Sequence, residues 1–157
     1  MSEKTVVRNS GEGDAFWMLG GLYEVLLSSD ETNGASTIMR ITVPVNAGPP
    51  LHSHECFETI YVTNGTAKFH IGGEMLDAGP GSIVYIPPGT VETFEPTTTA
   101  TVVINYSPGG IEKFFAEAGE PATKREIPPA PTSPPDVERL TQVGAKYGLH
   151  IQAPPSS

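Results

Sequence analysis

The sequence predicts an all-β domain arranged as a sandwich or a barrel. Short apolar stretches with strand alternation recur along its 157 residues, and 17 glycines and 16 prolines, spread without a period, supply turns between them. Strands at such short intervals favour a sandwich or barrel over a parallel sheet. The length suits one domain that buries a core of its own.

The individual strands are located by stretches in which apolar and polar side chains alternate, and by the turn residues between these stretches. Residues 16–27 form the first stretch, which Gly20-Gly21 interrupts. A strand covers 37–43, and the next runs from His52 to the turn signal at Asn64-Gly65. We predict the remaining strands over 67–71, 83–86, 91–94 and 100–106.

Two helices are predicted after the last strand. Residues 111–118 have helical spacing, and Gly119 follows them directly. Asp136 is a candidate N-cap for a second helix that extends to about Lys146. The apolar stripe of this second helix is Val137, Leu140 and Val143. Residues 128–135 form an extended linker, because their prolines exclude a continuous helix.

The most informative stretch is His52-Ser53-His54-Glu55-Cys56-Phe57-Glu58. Alternate residues of a strand point to the same side, so His52, His54 and Glu58 share one face if no bulge intervenes. Two imidazoles and one carboxylate directed into the same space suit a first-row transition metal. His70 and His150 are not part of such a group of candidate ligands, and we expect both to be structural. The sequence therefore predicts a metal-binding strand.

This stretch resembles the first motif of the cupin superfamily, HxHxxxE followed by six residues and a glycine, here Gly65. Residues 81–92 resemble the second motif, in which Gly, five residues, Pro-x-Gly and two residues precede a histidine. Glu92 stands at the position of that histidine, and Pro96 stands where the family often has asparagine. The resemblance covers both motifs and the segment between them.

The C-terminal part resembles the tail of single-domain cupins related to quercetin dioxygenases. Its order is Gly-Ile-Glu-Lys-Phe-Phe at 110–115, a proline-rich link, Tyr147-Gly148-Leu149 and Pro154-Pro155. The cupin resemblance implies a double-stranded β-helix, the jelly-roll barrel, over residues 14–108. A flexible segment 1–13 precedes it. Residues 109–157 supply one or two short helices and the linker, which pack on the barrel or on the partner in a homodimer.

The resemblance implies a metal site formed by His52, His54, Glu58 and Glu92. A carboxylate at position 92 is itself a competent ligand, so we expect one divalent ion of iron, manganese, nickel, cobalt or zinc. Glu58 and Glu92 are also the candidate catalytic groups. Without metal, two carboxylates beside one small cavity repel, and Glu92 would act as an acid or base. Both alternatives place Glu92 in the cavity, whereas a barrel that has lost its metal would leave Glu92 in solvent.

Strand parity also predicts an apolar wall around the site. Positions that continue the inward parity, together with one from the neighbouring strand, are the substrate-binding candidates Met39, Cys56, Ile60, Val62 and Phe94. Cys56 has three alternatives: a soft ligand, a redox-sensitive thiol, or the small buried hydrophobe that a free cysteine commonly is.

The quercetin dioxygenase-like resemblance implies dioxygenation of a planar, enolisable or phenolic small molecule. One alternative is a non-redox cyclase, isomerase or lyase of secondary metabolism, with the ion as Lewis acid or Glu92 as proton shuttle. Another is a non-catalytic small-molecule-binding module. In each of these three possible functions, the barrel binds a small organic molecule.

Net charge and cysteine content indicate which kinds of partner the protein binds and in which cellular compartment it is located. The net charge of −9 argues against nucleic acid or an anionic membrane. Cys56 is the sole cysteine, so no intrachain disulfide forms. The N-terminal residues lack an apolar signal region, and no apolar run approaches a membrane span. We therefore expect a soluble cytoplasmic protein.

Overall fold

Twelve strands and two helices make up the part of the chain, residues 4–152, that the computed structural model describes. The strands are β1 (Ala15–Met18), β2 (Gly21–Leu27), β3 (Thr37–Val43), β4 (His52–His54), β5 (Phe57–Asn64), β6 (Ala67–Ile71), β7 (Glu74–Ala78), β8 (Ile83–Ile86), β9 (Glu92–Pro96), β10 (Ala100–Ser107), β11 (Glu120–Pro121) and β12 (Leu149–Ile151). The helices are α1 (Glu112–Ala118) and α2 (Val137–Lys146).

The strands form two antiparallel sheets, and the predicted all-β jelly-roll barrel is confirmed. The larger sheet has the order β11-β1-β2-β3-β10-β5-β8, and the smaller has the order β12-β4-β9-β6-β7. Buried and less buried residues alternate strictly along β3 and β10. Each of these strands therefore turns one face inward, as expected for a barrel whose sheets share one core.

The core lies between the inward faces of both sheets. Met39 of β3 and Val62 of β5 are fully buried, and Phe69 of β6 stacks on Phe94 of β9 with ring centroids 5.6 Å apart. Burying a side chain of this size contributes about 1.5–3 kcal/mol. The core therefore joins the two sheets and fixes their relative position.

The predicted strand from His52 to the Asn64-Gly65 turn is wrong in one respect, because it is divided at Glu55-Cys56. β4 ends at His54 and lies in the smaller sheet, whereas β5 begins at Phe57 and lies in the larger one. At this corner the Glu55 amide donates to the carbonyl of Gly148, 2.9 Å away. The chain thus changes sheets between the ligands, as strands do at the corners of barrels.

Three strands are absent from the sequence-based prediction, namely β7, β11 and β12. β7 is an edge strand whose residues are mostly exposed, so it lacks the alternation that marks a half-buried strand. β11 and β12 have two and three residues. The strand predicted at 91–94 covers Glu92–Pro96 instead.

Both predicted helices are present. Asp136 caps α2, since its Oδ1 accepts from the Arg139 amide at 3.1 Å. The predicted apolar stripe is wrong at one position, because Val137 is 40% exposed while Leu140 and Val143 are buried. Val137 belongs to the first turn, which projects beyond the part of the helix that packs. Neither described helix has the length and hydrophobicity needed to cross a bilayer.

The segments that flank the barrel are tied to it by polar contacts. Arg8 donates to the Leu26 carbonyl at 2.7 Å and pairs with Glu31, although residues 4–14 contain no strand or helix. After α1, the Trp17 indole donates to the Glu126 carbonyl at 2.9 Å. The parts of the predicted flanking segments at 1–3 and 153–157, including Pro154-Pro155, lie outside the described residues.

Candidate metal centre

Four buried side chains from three strands converge within the barrel. His52 and His54 come from β4, Glu58 from β5 and Glu92 from β9, and one ligand atom of each lies within 4.8 Å of the others. His52 and His54 share a face because one residue separates them on β4. The division after His54 places Glu58 on the larger sheet, so the carboxylate faces the two imidazoles from another wall.

The His52 ring is oriented by its backbone neighbour and by Glu92. Its Nδ1 lies 2.9 Å from the Pro50 carbonyl oxygen, which requires the proton on Nδ1. In the neutral ring Nε2 carries the lone pair, and it lies 3.5 Å from Glu92 Oε1. A backbone carbonyl that fixes the tautomer of a ligating histidine is a common feature of metal sites.

His54 and Glu58 approach closely without a satisfactory hydrogen bond. His54 Nε2 lies 2.6 Å from Glu58 Oε1, yet the contact lacks hydrogen-bond geometry, and this buried oxygen has no hydrogen-bond partner among residues 4–152. An unpaired buried carboxylate oxygen is costly, by about 1–3 kcal/mol or more. A cation between the two atoms would satisfy both lone pairs, so the donor set fits a metal ion.

Burial shifts the protonation of all four groups. It raises the pKa of Glu58 to about 7 and, aided by the charge of Glu58 and opposed by His52, raises the pKa of Glu92. Burial and the nearby His52 lower the pKa of His54 to about 3. Burial also acts to lower the pKa of His52, but the hydrogen bond and charge of Glu92 outweigh it and raise that pKa. His54 is therefore a neutral lone-pair donor, and burial makes both carboxylates easier to protonate than an ordinary glutamate.

A cavity of about 60 Å³ opens onto these four groups. This space holds an ion and a few groups of the size of water. Its walls are mostly apolar and include the aromatic rings of Tyr23, Phe94, Tyr106, Phe114 and Phe115. Leu140 of α2 and Leu149 of β12 complete the lining, so the C-terminal elements close one side of the cavity. An apolar cavity with a few convergent polar groups is typical of a small-molecule site.

The predicted substrate wall is only partly found at the cavity. Ile60 and Phe94 line it. Met39 and Val62 do not, because both are fully buried in the core. Cys56 lies at the β4–β5 corner, is half-buried against the core and does not line the cavity. Burial raises the pKa of its thiol to about 12, so it remains protonated.

The sequence reasoning missed Tyr23 and Tyr106 as well as the phenylalanines of α1. Tyr106 continues the inward parity of Val102 and Ile104 on β10, which was an available signal. Phe114 and Phe115 belong to a helix whose docking position the periodicity does not predict. The remaining histidines lie outside the cluster: His70 Nε2 is 3.3 Å from Glu95 Oε2, and the half-exposed His150 is near Glu55.

The fold and the site define a cupin-type barrel, and comparison with known proteins agrees. Residues 39–107 match the family model described as Cupin domain, a range that contains all four members of the cluster. The match covers less than half of the chain, and the solved structures described next share its fold. No curated protein matches the chain.

Several solved structures share this fold. An RmlC-like cupin from Shewanella frigidimarina has 16% identity and a TM-score of 0.62, over 72% of this chain and 99% of that one. A predicted oxalate decarboxylase from Thermotoga maritima has 24% identity and a TM-score of 0.57, over 66% and 99%. Streptomyces Pac13, a nucleoside dehydratase, has 19% identity and a TM-score of 0.59, over 80% and 95%. At such identities the similarity establishes the fold alone.

Proposed function

We propose that the protein is a metal-dependent cupin enzyme with dioxygenase-like activity on a small planar molecule that is enolisable or phenolic. The observation that carries this proposal is the convergence of four buried donor groups within 4.8 Å, one of which, Glu58 Oε1, has no hydrogen-bond partner among the described residues. Such a cluster beside a mostly apolar cavity combines a cation site with the kind of lining found in small-molecule sites.

The composition of the cluster favours one hard or borderline divalent ion. His52 and His54 supply neutral nitrogens, while the two carboxylates of Glu58 and Glu92 offset the charge of the ion. The thiol of Cys56 lies outside the cluster, so soft-ligand selection of copper(I) is not expected. Iron, manganese, nickel, cobalt and zinc all suit such a donor set. When bound, the ion supplies Lewis acidity at open coordination positions and, if redox-active, the capacity to react with dioxygen.

The aromatic residues of the cavity support a planar substrate. Tyr23 stacks on Phe115 with ring centroids 4.6 Å apart, and Phe114 packs edge-on against Phe115 at 5.2 Å. These rings offer flat apolar surfaces to an aromatic or conjugated molecule and exclude water from it. Glu58 lines the same cavity and is the candidate group to accept the proton of the substrate hydroxyl.

The proposal is tested by metal analysis followed by oxygen uptake. Protein purified without chelator should contain about one equivalent of a transition metal per chain. Addition of small phenols or enols to the iron- or manganese-loaded form should then consume dioxygen, with no uptake after treatment with chelator. A chain that neither retains nor takes up a divalent ion would exclude the metal-dependent function.

A non-redox lyase or dehydratase is the second candidate. The pair of buried carboxylates in one cavity favours it, since an acid and a base are what elimination requires. A protein of similar fold, Pac13, is a nucleoside dehydratase. Turnover that proceeds without oxygen, or with zinc in the site, would select this candidate over dioxygenation.

We further propose that the protein is a homodimer, on the cupin resemblance. Light scattering of the purified chain measures this directly, and a mass of 16.6 kDa would identify a monomer.

A further inference from the structure

The outer face of the larger sheet is free of charge over three adjacent strands. On β10, β5 and β8 the residues that point away from the core are Thr101, Val103, Asn105, Ser107, Phe57, Thr59, Tyr61, Thr63, Ile83 and Tyr85. None of these side chains is charged, although charged residues make up 17% of the sequence. This part of the surface therefore differs from the average surface of the protein.

The outer face of the smaller sheet has the opposite character. There Lys68 of β6 lies between Asp77 of β7 and Glu95 of β9 in one cross-strand row. Charged side chains at the outward positions are what an antiparallel sheet carries where that face meets water. The contrast between the two sheets indicates that the outer face of the larger sheet is suited to contact with another surface.

The large hydrophobic side chains of this face lie close together. Tyr61, Ile83 and Tyr85 are 46%, 68% and 59% exposed. Tyr61 and Ile83 are Cα partners across the β5–β8 pair, and the Tyr85 ring centroid lies 5.7 Å from that of Phe57. If a whole side chain of this size has about 200 Å² of surface, the three leave about 350 Å² exposed. The uncharged residues around them extend this patch towards the roughly 600 Å² per partner at the lower end of specific interfaces.

The charge of the chain favours a second copy of itself as the partner. Each copy has a net charge of −9, so two copies repel each other in most orientations. A contact through the outer face of the larger sheet buries no charged group and so avoids the cost of desolvating one. Arg40 of β3, the Cα partner of Val103, borders this face and is paired with Glu24 at 2.8 Å. A strongly basic partner would instead be attracted to the acidic parts of the surface.

The sheet offers its face for this contact and not its edge. The edge strand β8 has four residues and is followed directly by Pro87-Pro88. Proline lacks the amide hydrogen that a further strand would need, and a short edge strand opposes the addition of another chain. Two sheets that pack face to face, at about 30° to each other, need no free edge.

We propose that two copies pack the outer faces of their larger sheets against each other, with Tyr61, Ile83 and Tyr85 at the centre of the contact. The inference rests on the homodimer proposed above and specifies its interface. The contact is isologous, so both copies contribute the same residues and each substitution alters the interface twice. Aromatic side chains at the centre of such a contact contribute most of its binding energy.

The test measures the mass of the full chain by light scattering, at concentrations from about 1 μM to about 1 mM. Wild type is compared with Tyr61→Lys, Ile83→Lys and the control Met75→Lys. Met75 is 59% exposed on the outer face of the smaller sheet. Lysine lowers the net negative charge equally in each variant, so general repulsion between copies decreases in all of them. Wild type and Met75→Lys should have about twice the mass of 16.6 kDa. The two substitutions on the larger sheet place a charge in the contact and should raise the Kd of dimerisation about a hundredfold or more.

A second measurement uses wild type alone and does not depend on the folding of a variant. Hydroxyl-radical oxidation, followed by mass spectrometry, is compared at concentrations above and below the Kd of dimerisation. Dimerisation should protect Tyr61 and Tyr85 and leave the oxidation of Met75 unchanged. The melting temperature of each lysine variant shows whether a loss of dimer reflects a loss of fold.

The outcomes separate the interface from the homodimer itself. Dimers in all four proteins, with equal oxidation of Tyr61 and Tyr85 at both concentrations, would overturn the interface and leave the proposed homodimer intact. A wild type that stays monomeric throughout would overturn both. If that monomer bound vesicles of neutral phosphatidylcholine and Tyr61→Lys did not, the face would be a membrane contact instead.

Discussion

His52 and Glu92 face each other directly across the β4–β9 pair, and His52 Nε2 lies 3.5 Å from Glu92 Oε1. Glu92 is buried with the other three members of the cluster. The backbone pairing therefore directs the side chain of residue 92 into the cluster whether it is histidine or glutamate. A histidine at this position would change the chemistry of the fourth donor and retain its location.

Replacement of Glu92 should separate ligand loss from ligand exchange. Glu92→Ala should lower the metal content from about one equivalent, because the cluster loses one donor and half of its negative charge. Glu92→His should retain the metal, since an imidazole at this position suits the same ions. Mass spectrometry of metals in each purified variant provides the measurement. Glu95→Ala, at an exposed site on the same strand, is the matched control. Full metal content in Glu92→Ala would show that Glu92 is not a ligand.

Glu112 should make the stability of the fold depend on pH. Burial would raise the pKa of this carboxyl, but hydrogen bonds from Ser29 and Thr37 outweigh that effect and lower it. The Ser29 amide donates to Oε1 at 2.7 Å and the Thr37 hydroxyl to Oε2 at 2.6 Å. The carboxylate thus stabilises the fold above the pH at which an unfolded glutamate titrates, about 4.3. This contribution is lost as the pH falls through the lower folded pKa.

Glu112→Gln should therefore reduce the free energy of unfolding by about 1–3 kcal/mol at pH 7. The difference from wild type should shrink below about pH 4, where the wild-type carboxyl also becomes protonated. Urea denaturation at a series of pH values measures it. The exposed Glu74→Gln serves as control. A difference that stays constant from pH 7 to pH 3 would show that the charge of Glu112 does not contribute.

Gly65 and Gly89, the glycines of the two motifs, should respond differently to alanine. Both have positive φ, +73° and +78°, so either substitution costs about 1–2 kcal/mol in backbone strain. A Cβ at Gly65 would also overlap the Thr99 carbonyl oxygen, whereas one at Gly89 meets nothing within 4 Å. Gly65→Ala should consequently lose about 3 kcal/mol or more. Thermal unfolding of both variants checks this, and equal losses would contradict the close approach at Gly65.

The two ends of the predicted stripe on α2 provide a test of how this helix docks. Leu140 is buried and lines the cavity, so Leu140→Ala should lower the free energy of unfolding by about 2–5 kcal/mol. Val137→Ala removes a side chain that is 40% exposed and should change it by about 0.5 kcal/mol or less. Denaturant titration distinguishes the two. Similar small losses would mean that α2 contributes little to closing the barrel.

Much of the fold is visible in the sequence, because strictly alternating strands such as Thr37–Val43 and Ala100–Ser107 carry a clear period of two. The edge strand Glu74–Ala78 carries no such signal, since both of its faces are largely exposed. The corner at Glu55-Cys56 was hidden for another reason. The residues on either side of it continue the same parity, so the sequence reads as one strand although the chain passes between sheets.

The four members of the cluster could be named from motif spacing, but their pairing could not. That His52 lies opposite Glu92 follows from a contact between distant strands, which local periodicity does not encode. The substrate wall shows the same limit. Parity identified Ile60 and Phe94, which line the cavity, and equally Met39 and Val62, which do not. Parity specifies the face of a strand on which a residue lies. The open volume of the cavity depends instead on how α1 and β12 dock.

β12 pairs with the strand that carries both histidines, with Leu149 opposite His54 and Ile151 opposite His52. This pairing has a consequence for biosynthesis. The ribosome releases the histidine strand early, but its outer neighbour in the sheet exists only after residues 149–151 have emerged. The nascent chain can therefore form most of the barrel before the imidazoles gain their final backbone support, so the cluster is completed only after β12 has emerged.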